Sequence, residues 1–262
     1  MIDVQKQKDT RNISIQKVGV KDVEILLKLQ KKAPTPKFLT VYSKAKMSVG
    51  LPAQYKGTHM SRFIEILNEY KQVLIIDNLE NILLEMKNKL EATSAYIKLD
   101  FKYFVDKTAP VSGFVSPMCY DCAFEGEVKE SYKYKFNMIV KVPITTLCPC
   151  SKEISKYGAH NQRALVKVSI GYDGTQTIWL EDLIKLVEEC SSAEIYSLLK
   201  REDEKYVTET AYNNPKFVED VIRDIIIKLQ QNDLIERYEV EVEAQESIHK
   251  HNAWAYQKYD GN

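Results

Sequence analysis

The chain has 262 residues, 44% hydrophobic and 28% charged, proportions of a folded domain rather than a disordered chain. Lys and Arg (37) balance Asp and Glu (37), so there is no net basic field for a nucleic-acid backbone, and nucleic acid is not an expected partner. With no apolar run of membrane length and no apolar stretch in the start MIDVQKQKDTRN, the chain reads as cytoplasmic, with reduced thiols and no membrane contact.

Residues 1–11 are polar and read as a flexible N-terminus. After Asn12, ISIQKVGV alternates as a strand, and a weaker strand pattern runs from Phe38 to Val49. Residues 56–62 (KGTHMSR) open a helical run carried by Phe63, Ile66, Leu67 and Tyr70, with Thr58 placed to cap it. A second helix is expected over about 79–92, where Ile82, Leu83, Met86 and Leu90 share a face. Residues 95–101 alternate as a strand. Two long strand patterns follow at about 114–128 and 131–144, then a loop over 145–162 and another strand over 163–171. Helices are expected over 180–189, near 194–199, and from Pro215 onward, where Asn214 suits the N-cap and Pro215 the first helical position. Residues 234–243 read as the last long strand.

The order strands, helix pair, strands occurs twice without a residue-level repeat. It favours an α+β architecture on antiparallel sheet, as two similar β-hairpin/helix-pair modules, 12–145 and 146–262, in one compact bimodular unit. Ladders of this length leave edges, and pairing with other subunits is one way to cover them.

The loop CPCSKEISKYGAHNQR (148–163) holds two thiols, a histidine and several cations. A thiolate with an imidazole suits a divalent metal, zinc first. Cys148 to His160 is too long for a zinc knuckle and no second pair completes it, so the remaining ligands must come from distant sequence. A buried Cys with a surface His is the plainer alternative. The run Leu199–Lys205 reads as a solvated charged loop. Glu246 precedes His249 by three residues at a strand end, which suits a proton-transfer pair or a supported ligand.

From Pro215 onward Ile222, Ile226 and Leu229 form an apolar stripe. Glu219 then falls on or beside the buried face, with Asp220 and Asp224 facing away. A carboxylate there needs donors, such as the paired N–H groups of a guanine edge; a helix-dipole carboxylate is the alternative. Cys119 and Cys122 form a CxxC inside a strand pattern and read as structural thiols. His251 reads as a surface residue.

The segments GTHMSRF (57–63), CPCSKEI (148–154), GAHNQR (158–163), LKR (199–201), DEKYVTE (203–209), FVED (217–220) and the Glu246 to His249 end resemble the type IB GTP cyclohydrolases over roughly residues 12–255. Glu202 stands where many members carry proline. The resemblance implies a tunnelling fold, two fused modules per chain, and a homotetramer with active sites between subunits. It implies conversion of GTP to 7,8-dihydroneopterin triphosphate with release of formate, the first step of tetrahydrofolate biosynthesis. It also implies one divalent metal per site, zinc, manganese or iron, with Cys148, His160, Glu204 and His249 around it. Proton transfer would fall to His160 and Glu246, and Glu219 would anchor the guanine. Lys152, Arg163, Lys200, Arg201 and Arg62 are candidates for the triphosphate, with His59 at a helix start beside them. Three other readings share parts of the pattern. These are an archaeal-type cyclohydrolase that stops at a cyclic phosphate, a nitrile reductase with a nucleophilic Cys and NADPH, and a zinc-stabilised binding module without turnover.

Overall fold

The structure, a computed structural model, describes residues 5, 7–70, 73–129, 131, 133–172 and 176–261. Eight strands hydrogen-bond in chain order: β1 (Ile15–Lys31), β2 (Lys37–Leu51), β3 (Ala95–Thr108), β4 (Val115–Val128), β5 (Tyr134–Leu147), β6 (Asn161–Gly171), β7 (Arg237–Ala244) and β8 (Ala253–Tyr259). Among the described residues, six helices accompany them: α1 (Met60–Glu69), α2 (Ile75–Lys89), α3 (Pro149–Ile154), α4 (Leu180–Glu189), α5 (Arg201–Asn213) and α6 (Val218–Gln230). The class is α+β on antiparallel sheet, as the element order requires.

The chain divides into two compact units, Met1–Lys102 with Ala123–Asn137, and Tyr103–Cys122 with Met138–Asn262. The sequence reading makes one cut, after residue 145; in the structure β3, β4 and β5 each run from one unit into the other.

In the first unit the period-2 alternation of β2 and β3 turns Ala45, Met47, Val49, Ile97 and Leu99 inward. The 3.6-residue period of the helices turns Phe63, Ile66, Leu79, Ile82, Leu83 and Met86 to the same core. Burying each large side chain stabilises by about 1.5–3 kcal/mol. Helix α2 lies so close to β4 that a Cβ on Gly126 would meet Leu83 Cδ1 at 2.8 Å. In the second unit the core is built from Val140, Val142 and Ile144 of β5, Val166 and Val168 of β6, and Val240 and Val242 of β7. Leu183, Val187, Val221, Ile225 and Leu229 complete it from α4 and α6.

Several boundaries differ from the sequence reading. Helix α1 is preceded by His59 rather than capped by Thr58, which is buried. Helix α2 starts at Ile75, four residues early, because Ile75 joins Leu79 and Ile82 on the buried face. No helix forms near 194–199. The segment before it lies along β5 instead, with Thr145 N–H donating to Ala193 O (3.1 Å) and Ser192 N–H to Thr145 O (3.0 Å). Asn214 does not start a helix; it closes α5, and its Nδ2 donates to Ser191 O at 2.9 Å. Strand β8 was not legible in the sequence.

The N-terminal reading covers residues 1–4 and 6, which lie outside the described residues. Four of the others have backbone partners: Gly57 N–H donates to Gln5 O (3.1 Å), Lys56 N–H to Gln7 O (3.0 Å) and Asp9 N–H to Gln54 O (3.1 Å), and Lys8 bridges Tyr55. No helix among the described residues is long and apolar enough to cross a membrane.

Candidate functional site

The loop expected between β5 and β6 contains a helix, and Cys148 is its N-cap. Pro149 at the first helical position has no N–H to satisfy and a φ already suited to the turn. The Cys148 sulfur accepts the Ser151 N–H at 3.4 Å, and the Cys148 N–H donates to His160 O at 3.1 Å, which closes the loop. Leu147, just before it, is held from two sides. Its N–H donates to Ser192 Oγ (3.2 Å) and its carbonyl accepts the Lys216 N–H (3.0 Å). Leu147 also packs with Ala193 and with Ala211 of α5. The thiol therefore stands on a fixed backbone.

His160 and Glu246 approach from two sequence-distant places. The β6–β7 ladder pairs Ala164 with Ala244, and one more bond, Gln245 N–H to Arg163 O at 2.9 Å, carries the chain past the end of β7. Glu246 Oε2 then lies 4.0 Å from His160 Nδ1. That oxygen is buried and has no hydrogen-bond partner among the described residues. His160 Nδ1 is 3.0 Å from Gln162 Oε1. Both neighbours of Nδ1 are acceptor oxygens, so a ring that hydrogen-bonds either of them donates from Nδ1 and leaves the lone pair on Nε2. A buried carboxylate oxygen without a donor costs about 1–3 kcal/mol; it is an acceptor held for a proton brought by a substrate or water.

The other predicted residues are distributed as follows. Glu204 is exposed on the first turn of α5, with its N–H on Lys200 O at 2.9 Å. His249 is exposed and stacks on exposed His251, ring centroids 5.1 Å apart. Arg163, Lys200 and Arg201 are exposed, and Lys200 Nζ lies over the Phe114 ring at 5.0 Å. Lys152 Nζ donates to Tyr212 O at 2.6 Å. In the first unit His59 precedes α1, and Arg62 Nη1 donates to Lys89 O at 2.6 Å.

Glu219 corrects the helix argument. It is exposed, because α6 starts at Val218 and its buried stripe is Val218, Val221, Ile222, Ile225 and Leu229. Ile226, used to place the stripe from sequence, is only half-buried, which rotates the true face away from Glu219.

Asp203 is the residue the sequence reading missed. It lies in the Leu199–Lys205 run, whose sequence reads as a solvated loop, yet it is buried and accepts from Val111 N–H (2.8 Å), Ser112 N–H (2.9 Å), Ser112 hydroxyl (2.6 Å) and Lys200 N–H (2.8 Å). One signal was available: an acid three residues after the helix-start residue returns to the backbone N–H there.

The donor types suit a divalent metal. Cys148 supplies sulfur on a fixed backbone, and His160 supplies Nε2 with its tautomer already set. Among the described residues, no three His, Cys, Asp or Glu side chains gather at metal-holding distance within one chain. Cys148 is joined to His160 through its backbone N–H, and the His160 ring lies 4.0 Å from Glu246; neither Glu204 nor His249 completes a metal-holding group with them among the described residues. The CxxC is no rival site. Cys119 is exposed and Cys122 buried on β4, because positions three apart on a strand point to opposite faces. Burial pushes the Cys122 thiol well up from its ordinary value.

Residues 1–255 match a family model described as type I GTP cyclohydrolase folE2. The chain is 51% identical over 255 residues to GTP cyclohydrolase FolE2 of Geobacter metallireducens, spanning 97% of this chain and 95% of that relative. It is 51% identical over 256 residues to GTP cyclohydrolase FolE2 of Syntrophus aciditrophicus, spanning 98% of both. Among solved structures, a hyper-thermostable AgUricase mutant matches with TM-score 0.52 at 8% identity, over 94% of this chain and 91% of that one, a likeness of fold alone.

Proposed function

The chain belongs to the type I GTP cyclohydrolase FolE2 family, and from that premise we propose that it converts GTP to dihydroneopterin triphosphate and formate at the neighbourhood of Cys148, His160 and Glu246. The observation that carries the site reading is the buried, unpartnered Glu246 Oε2 beside a histidine whose Nε2 presents a lone pair.

Cys148, His160, Glu204 and His249 would hold one divalent ion, zinc, manganese or iron. When bound, such an ion supplies a Lewis acid and a water of pKa about 7. The chain's own residues do the rest. Glu246 Oε2 accepts the proton of the water that attacks C8 of the purine and returns it to the departing nitrogen. His160 keeps its proton on Nδ1 and its lone pair toward the reacting centre. A second hydrolysis releases formate, and the ribose rearranges as the new ring closes. Glu219, on the first turn of α6, would accept the paired N–H groups of the guanine edge. Arg163, Lys200 and Arg201 are the exposed cations for the triphosphate, while Lys152 and Arg62 already donate within the chain.

Exposed Glu204, Glu219 and His249 would be enclosed by neighbouring copies of the chain. This supports a homotetramer of tunnelling-fold chains, two modules each, with sites between subunits. The cysteines are all free thiols, as a cytoplasmic enzyme would keep them.

The test is turnover of GTP by protein reconstituted with zinc, manganese or iron, followed by formate release and pterin fluorescence. Wild type should yield both, and Cys148→Ala should lose about 100-fold or more, at least what loss of a ligand's supporting residue costs. A cyclic-phosphate product would give the archaeal-type reading instead. No formate from any metal-loaded protein would remove the assignment.

A further inference from the structure

We infer that Gln162 is a positioning residue of this site, which sets the His160 tautomer and by the same bond keeps Glu246 unpaired. The inference rests on the functional reading above and names a residue that reading does not use.

His160 immediately precedes β6 and Gln162 is the second residue of that strand; the two side chains meet directly. The Gln162 backbone is fixed by its ladder partner Thr146 on β5, and its amide oxygen lies 3.0 Å from Nδ1. The competing acceptor is Glu246 Oε2, 4.0 Å from the same nitrogen. A charged acceptor makes the stronger bond at equal distance. Without the amide, Nδ1–H would turn to Glu246, and its buried, unpartnered carboxylate oxygen would be consumed in a His–carboxylate pair. The ring would rotate with it and carry Nε2 off its line. A neutral acceptor held closer than the carboxylate prevents this. It orients the imidazole without adding charge, and it leaves Glu246 Oε2 for the substrate's protons. Histidines that present one nitrogen to a metal are commonly steered in this way through the other.

The experiment compares wild type, Gln162→Leu and Gln162→Glu for zinc and manganese affinity by chelator competition, for kcat and KM with GTP, and for Tm. Gln162→Leu keeps the volume and removes the acceptor. It should weaken metal binding about 10–100-fold and lower kcat with KM for GTP little changed. Gln162→Glu restores an acceptor and should bind metal within a few-fold of wild type. A crystal structure of Gln162→Leu should show Nδ1 hydrogen-bonded to Glu246. If Gln162→Leu does not fold, Gln162→Ala carries the same comparison. Equal metal affinity in wild type and the acceptor-free variant overturns the inference, as does equal loss in the Leu and Glu variants. A wild-type protein that binds no divalent ion overturns the functional reading instead.

Discussion

Asp203 shows how one buried side chain can tie the start of a helix to a distant turn. Burial opposes its charge, but hydrogen bonds from Ser112, Lys200 and Val111 prevail and hold the carboxyl well below the usual carboxylate range. Its folded pKa is therefore below its unfolded one, and the stability it contributes is present above the ordinary carboxylate pKa, about 4, and is lost as pH falls through the folded value. Asp203→Asn should lower Tm at neutral pH by several degrees and flatten the decline in Tm between pH 5 and the acid limit. An unchanged acid slope in thermal melts would sink this. The sequence places Asp203 in a charged run, where solvation is the ordinary outcome. Its burial depends on Val111, 92 positions away, a separation no local pattern encodes. Glu219 fails in the opposite way: a stripe drawn through Ile226 instead of Ile225 rotates a helix enough to exchange buried and exposed faces.

Among elements, a buried ion cluster ties β3 and β4 to the end of α4. Lys107 Nζ donates to Glu188 Oε1 (2.7 Å), Glu194 Oε2 (2.8 Å) and Ile195 O (2.9 Å), and Tyr120 hydroxyl donates to Glu188 Oε1 (2.6 Å). Burial pushes Glu188 up from the ordinary carboxylate range, with Lys107 pulling against it. The segment tied down by Lys107 continues through Ser192 to Leu147 and the Cys148 turn. Lys107→Met should cost about 3–5 kcal/mol, because a buried carboxylate is left uncompensated. A raised folded pKa favours the native state below the unfolded pKa and loses that favour as pH rises. The Lys107→Met deficit should thus shrink on acidification, and denaturation at pH 5 and pH 8 would read it. A deficit that grows at pH 5 would refute the role assigned to Glu188. Double replacement with Glu188→Leu should recover much of the loss.

At the scale of the whole molecule, each compact unit has its own apolar core, and neither core includes Cys148, His160, Glu204 or His249. Chelation should therefore abolish turnover while the far-UV circular dichroism spectrum stays that of a folded protein, with Tm lowered only by the lost binding energy. A zinc-stabilised binding module would instead unfold. The sequence alone determined the family motifs, the α+β class and the strands and helices whose apolar period is unbroken, because alternation and the 3.6-residue repeat are local consequences of burial on one face. It determined neither β8, five of whose seven residues are exposed, nor the capping role of Cys148. Tertiary structure decided that Glu246 comes to rest beside His160 with an oxygen unpaired. That pairing depends on the register of β6 on β7, and register is fixed by the whole sheet and the core beneath it.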